Sequence, residues 1–177
     1  LRAKLCKSGV LWWRPIAQTA NDTVQNAMTF ALPIPSIRFK ALGLHWRGNR
    51  LLAAEVPDAS GRVKGVRPLG GTVEFGETAR AALIREFQEE LDITVEPVGS
   101  PVFIENIFTH EGTPGHEILA LFTVLFPTGA FAEADRILFH EDDGTTGFAE
   151  WFPLDTLDWP DGPRLYPAGL KAYLTRD

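Results

Sequence analysis

One helix constrains this chain more than anything else in it. From Thr78 to Leu91 the apolar residues Leu83, Ile84, Phe87 and Leu91 fall within an arc of about 100° at 3.6 residues per turn, which predicts an amphipathic helix with Thr78 as its N-cap. Glu86, Glu89 and Glu90 are spaced i, i+3, i+4, so their carboxylates share a second face. Like charges at that spacing each cost about 0.2–0.5 kcal/mol in an isolated helix. They also occupy the C-terminal half, where the macrodipole disfavours negative charge, and Asp92 adds to the problem. Arg85 can pair with Glu89 one turn on, which offsets part of this. An acidic helix face is often only a solvated one. Yet a stretch that breaks its local rules at one spot reads as a site, and three hard carboxylates on one face suit a divalent cation such as Mg²⁺.

The distribution of charge agrees. The chain has 177 residues, the length of one domain, with 17 basic and 23 acidic side chains and a net charge of −6. Residues 71–93 hold six acids against two bases, and residues 131–161 hold nine against one. Two acidic segments in a neutral remainder favour a cation site over a polyanion-binding surface, and no duplex nucleic acid is expected as a partner. The longest apolar runs, such as Ile118–Phe126, fall short of the ~20 residues of a membrane helix. A single cysteine, Cys6, excludes an internal disulfide framework and fits a reducing, cytoplasmic setting.

Along the chain, Arg38–Trp46 and Arg50–Val56 flank the turn signal Gly48-Asn49 and predict a β-hairpin. A polar loop at Pro57–Gly65 leads to a short strand, Val66–Leu69, which ends at Gly70-Gly71. After the helix, Val102–Phe108 and Glu117–Phe126 read as strands, Thr128–Gly147 as a long acidic connection, Phe148–Phe152 as a last strand and Arg164–Thr175 as a closing helix. Strands on both sides of one helix, then a final helix, define an α/β or α+β sandwich. Residues 1–27 read differently: they carry Arg2, Lys4, Lys7 and Arg14 against Asp22, and a Trp12–Trp13 pair.

Read from Gly71, the sequence runs glycine, five residues, Glu77, seven residues, then Arg85-Glu86-Phe87-Gln88-Glu89-Glu90-Leu91-Asp92-Ile93. This resembles the signature of the Nudix hydrolase family, G-x5-E-x7-R-E-U-x-E-E-x-G-U, with U a bulky apolar residue. Six of its seven literal positions match, and Phe87 and Ile93 fill the apolar ones. The departure is Asp92 in place of a glycine just past the helix end, where a left-handed conformation is common and Asp tolerates it better than most residues.

The resemblance implies a Nudix-like α/β/α sandwich with a central mixed β-sheet over residues 35–177, preceded by an extension or arm at 1–34. It implies a hydrolase cleaving the P–O–P linkage of a nucleoside diphosphate joined to another moiety, such as a nucleotide or nucleotide sugar, with Mg²⁺ (or Mn²⁺) as cofactor. Carried over by position, Glu86, Glu89, Glu90 and the carbonyl of Gly70 are metal ligands. Arg85 orients the glutamates, Glu77 braces the loop, and Glu86 is the first choice of general base. A further acid is expected from the loop Glu141-Asp142-Asp143, with Glu117, Glu133 and Glu150 as rivals. The substrate is less specified: the subgroup markers after the box are replaced by Phe108 and His110. His110 and His116 are read either as phosphate contacts or as structural, and Phe75, Phe108 and Trp151 either as base-stacking or as core. Two other readings stay open. A non-catalytic ligand-sensing or interaction domain tends to lose the metal set, which is present here. A diphosphate isomerase of related fold wants a reactive cysteine, and Cys6 lies outside the matched region. A homodimer is also left open.

Overall fold

In a computed structural model of the protein, residues 35–58, 60–110, 112–141 and 144–176 are described, all in one unit, Pro35–Asp177. The expectations for Cys6, the Trp12–Trp13 pair, Asp142 and Asp143 lie outside the described residues.

The expected helix is α1, Ala79–Leu91. Thr78 has extended backbone, and its hydroxyl accepts from the Ala81 N–H at 3.2 Å. At the other end Asp92 adopts the left-handed conformation at φ 54° in the place of the missing glycine. Its side chain accepts from the Gln88 amide at 2.7 Å. An Asx side chain bonding locally is what lets a residue with a Cβ hold that position.

Two sheets meet around α1. In the first, β1 (Ile37–Leu44) runs parallel to β6 (Thr113–Leu125), which pairs antiparallel with β5 (Glu96–His110). The second has the order β7 (Arg136–His140), β8 (Thr146–Pro153), β3 (Arg50–Pro57), β4 (Val63–Arg67) and β9 (Arg164–Leu165). Pairing is parallel at β1–β6 and β4–β9 and antiparallel elsewhere, so the sheets are mixed, as expected. Leu83, Phe87 and Leu91 of α1 pack with Ala41, Ala120, Phe122, Leu52 and Trp151 in one core. Leu42, Leu51, Val66, Leu119 and Leu121 form a second with Leu170 of α2, Leu170–Leu174. No helix among the described residues is long and apolar enough to cross a membrane.

The first sheet gains an edge from the site itself. The extended loop after β4 lies along β1, with the N–H groups of Gly43 and Ala41 donating to Leu69 and Gly71, and the Val73 N–H to Phe39, all at 2.9 Å.

Four expectations need correction. The hairpin at Gly48-Asn49 closes only the stub β2 (Trp46–Arg47) onto Arg50 and Leu51; β1 leaves for the other sheet, drawn by the apolar face it shares with β6. The strand placed at Val66–Leu69 lies earlier, at Val63–Arg67, because Leu69 is committed to β1. The acidic connection at 128–147 contains β7, whose Ile137 and Phe139 are buried against α1. Its approach is pinned by Arg47, which donates to the carbonyls of Ala134 and Phe131 and stacks 3.4 Å over the Trp151 ring. The closing helix is only Leu170–Leu174, since Arg164–Leu165 pairs with β4 as β9.

Gly43 is where helix and sheet touch: a Cβ there would lie 2.6 Å from the Phe87 ring. Gly43→Ala is expected to lower stability by about 1–3 kcal/mol in chemical denaturation, and adding Phe87→Leu should recover part of that loss through the space it opens.

Candidate active site

Arg85 organises the acidic face of α1. Its Nε and Nη2 hold the two oxygens of Glu77 at 3.1 Å. Its Nη1 holds Glu86 Oε1 at 3.0 Å and Glu89 Oε2 at 2.8 Å. Nη2 also donates to the Thr72 carbonyl at 3.0 Å. One planar fork thus ties the loop after Gly71 to the helix while offsetting the repulsion among its acids. The bond to Glu77 is the largest of the influences that hold the guanidinium firmly protonated, and it lowers the Glu77 carboxyl in turn. Glu77 also accepts from the Glu74 N–H at 3.2 Å, which closes the loop on itself.

The two glycines have separate reasons. At Gly70 the backbone sits at φ +123°, and a Cβ would meet the Ala41 carbonyl oxygen at 2.2 Å. At Gly71 a Cβ would lie 2.1 Å from the carboxyl carbon of Glu86. The absent side chain is the space Glu86 occupies.

Glu86 and Glu90 are 4% and 6% exposed. Burial is normal for neither and must be compensated. Glu86 has Arg85; Glu90 accepts from the Gly70 N–H, while its Oε2 is buried with no hydrogen-bond partner. Burial first, then the charges of Glu141 and Glu86, push the Glu90 carboxyl up to about 8. The chemistry of this set fits a hard divalent cation: oxygen donors only, one of them buried without a partner. Among the described residues no three metal-ligating side chains already converge on one point, because Glu86 and Glu89 are turned onto Arg85.

The structure therefore brings Gly70, Glu77, Arg85, Glu86 and Glu90 together, with Glu89 half-exposed at the edge. Glu141 lies within electrostatic reach of Glu90. Two rivals for the extra acid are engaged elsewhere: Glu117 bonds Arg38 at 2.9 Å and Asn106 at 3.3 Å, and Glu150 bonds Arg136 at 2.9 Å. His116 pairs with Glu105 at 2.9 Å and His110 with Lys64 at 2.7 Å. Trp151 is core, whereas Phe75 stands fully exposed on the loop between Gly71 and α1, and Phe108 packs over Gly115. Sequence reading missed the part played by the Thr72 carbonyl and the Gly70 N–H, since main-chain groups carry no residue signal.

The NUDIX domain model matches residues 45–169, and the chain belongs to the Nudix hydrolase family. In fold it is similar to a MutT NUDIX hydrolase from Burkholderia pseudomallei, at 21% identity and TM-score 0.55 over 80% of this chain and 99% of that one. It is more loosely similar to the E. coli ORF135 protein (21%, TM-score 0.48, 81% and 92%). The same holds for an ADP-ribose pyrophosphatase from Streptococcus suis (16%, TM-score 0.42, 74% and 81%). No curated protein is similar enough in sequence to count as a match.

A carboxyl raised in the fold from its usual 4.5 to about 8 binds its proton more tightly folded than unfolded. The contribution of Glu90 to the stability of the metal-free protein is therefore expected to be fully present at low pH, to fall between about pH 4.5 and 8, and to level off above that. The slope is at most about 1.4 kcal/mol per pH unit. Thermal unfolding in EDTA across this window, with Glu90→Gln giving a flatter profile, checks it.

Proposed function

We propose that the chain is a Mg²⁺-dependent pyrophosphohydrolase, with Mn²⁺ as a substitute. It would cleave the P–O–P linkage of a nucleoside diphosphate joined to a second group, such as a nucleotide or nucleotide sugar. The observation that carries this reading is Glu90, a buried carboxylate with a partnerless oxygen, set beside Glu86 and the Gly70 peptide. A protein that only sensed ligands or docked partners would have no need to keep so costly a group.

Glu86, Glu89, Glu90 and the Gly70 carbonyl would hold the cation, which when bound neutralises phosphate charge and acidifies water. Everything else falls to the chain. Arg85 fixes the rotamers of Glu86 and Glu89 and remains a positioning residue. Glu77 braces the loop through the same guanidinium. Glu86 accepts the proton of the attacking water as its oxygen bonds to one phosphorus, and the bond from that phosphorus to the bridging oxygen breaks. Residues 35–177 would be the catalytic unit, working as a cytoplasmic enzyme on a small-molecule diphosphate.

The test is a phosphate-release screen with Mg²⁺ over nucleoside di- and triphosphates, nucleotide sugars, dinucleotides and ADP-ribose. Glu90→Gln should cut turnover by orders of magnitude and leave the fold intact. Near-normal turnover in that variant at saturating Mg²⁺ rejects the assignment. The acidic loop gives a second test. If it lends an oxygen to the cation, Asp142→Asn or Asp143→Asn raises the Mg²⁺ concentration for half-maximal rate and leaves the melting temperature in EDTA unchanged. Unaltered metal dependence in the double variant leaves the site to the helix.

A further inference from the structure

The face of the first sheet turned toward the second changes character along its length. Leu42, Leu119 and Ile104 pack there with Leu51 and Val66 in the core between the sheets. Side chains alternate along a strand, so Arg38 of β1, Glu117 of β6, and Asn106 and Phe108 of β5 lie on that same face. The pairing register sets Arg38, Glu117 and Asn106 side by side in one row across the three strands, with Phe108 and Gly115 paired in the next. Farther along, His110 at the end of β5 meets Lys64 of β4 at 2.7 Å. The row therefore lies between the apolar core and a bridge that joins the two sheets.

Glu117 is the anomaly in this row. It is 6% exposed, and its two oxygens are divided between its neighbours: Oε1 pairs with Arg38 at 2.9 Å, and Oε2 accepts from the Asn106 amide at 3.3 Å. A buried charge is costly, and packed apolar groups of the same volume commonly hold a fold at least as well. What the carboxylate does supply is orientation. Paired with a guanidinium it can only accept, so Asn106 turns its Nδ2 toward it and is left with Oδ1 as the outward acceptor. The same carboxylate anchors one end of the half-exposed Arg38 guanidinium, and the other N–H groups of that rigid plane remain as donors. Among the described residues no hydrogen bond takes up Asn106 Oδ1 or those N–H groups. Beside them the Phe108 ring lies over Gly115, where a Cβ would meet it at 2.4 Å. A fixed acceptor, a fixed donor and an aromatic plane on one face match a planar heterocycle that carries both a donor and an acceptor on its edge.

We propose that Arg38 and Asn106 read the base of a nucleotide substrate, with Glu117 as the positioning residue that sets which of them donates and which accepts. Phe108 is the apolar plane beside them. This deepens the hydrolase reading and rests on it for the phosphate end of the ligand. Strand β1 joins the two ends. Lys40 bridges to Thr72 just past Gly71, against which Glu86 lies, and Arg38 stands two residues, about 7 Å, farther along the strand. A sugar covers that separation between a base and its phosphate chain. The substrate class this favours is a nucleoside polyphosphate or nucleotide sugar, rather than a diphosphate that carries no base.

The probes are the four common nucleoside 5′-monophosphates and ribose 5-phosphate, which lacks the base, each added to the intact chain in EDTA and followed by thermal unfolding. At least one nucleotide should raise the wild-type melting temperature further than ribose 5-phosphate does. Asn106→Ala removes the acceptor and leaves the Arg38–Glu117 pair in place, and Arg38→Lys keeps the charge without the planar fork. Both should fold and lose most of that excess. In the Mg²⁺ assay both should raise KM for the matching triphosphate about tenfold, with a smaller effect on kcat. Glu117→Gln gives the sharper reading. Its carbonyl can accept from Arg38 while its NH2 donates to Asn106 Oδ1, which turns the Asn106 amide over, so the order of preference among the four nucleotides should change. A merely structural ion pair would lower the melting temperature of this variant and leave that order as it was, and such a result overturns the positioning role. The subsite itself is overturned if no nucleotide exceeds ribose 5-phosphate in the wild type, or if Asn106→Ala and Arg38→Lys keep the full excess. A wild type that shows the excess, loses it in the variants and hydrolyses nothing in the substrate screen rejects the hydrolase reading and leaves the base subsite standing.

Discussion

The site depends on one guanidinium. Arg85 reaches Glu77, Glu86, Glu89 and the Thr72 carbonyl, and without it α1 would carry three carboxylates on one face with little to offset them. The same fork decides where the loop runs, because Glu77 and Thr72 lie on the chain before the helix and Glu86 and Glu89 on the helix itself. Charge neutralisation and loop placement are therefore one interaction. Glu90 alone among the three helix glutamates lies outside its grasp, and it is Glu90 whose carboxyl rises. Its isolation follows from the geometry of a fork that is already full.

Much of this was legible in the sequence. The helix boundaries, the Thr78 cap and the Arg85–Glu89 pair follow from local spacing, which is what a single sequence records, whereas the left-handed Asp92 and the gathering of Glu77, Arg85 and Glu86 were implied by the resemblance to the family signature. What failed was long-range. Gly48-Asn49 signals a hairpin correctly, but a turn signal says nothing of how far the pairing extends. Here it stops after two residue pairs because Ala41 and Leu42 are claimed on opposite faces of another sheet. The strand at Arg136–His140 was hidden because Asp135, Glu141 and their neighbours make the segment look solvated, while only Ile137 and Phe139 reach the core. The last helix is shorter than the sequence pattern predicts, because Pro163 and the apolar residues after it fit the start of a helix as well as a strand beside β4.

Two carboxylates of α1, Glu86 and Glu89, are pre-paired with Arg85, and Glu86 lies directly against the Gly70-Gly71 turn. The glycines make this closeness attainable, since a side chain at either position would strike the Ala41 carbonyl or the Glu86 carboxylate.

The way the loop at Leu69–Val73 lies along β1 has a consequence for the health of the whole molecule. A strand edge left bare offers a row of unpaired N–H and C=O groups to any other extended chain. In this protein the covering is supplied by the segment that leads into α1, through the Gly43, Ala41 and Val73 amides. The part of the chain that shapes the site is thus also the guard on the sheet. Damage that loosens it would uncover a sticky edge, so lost catalysis and lost solubility should travel together in variants of this loop.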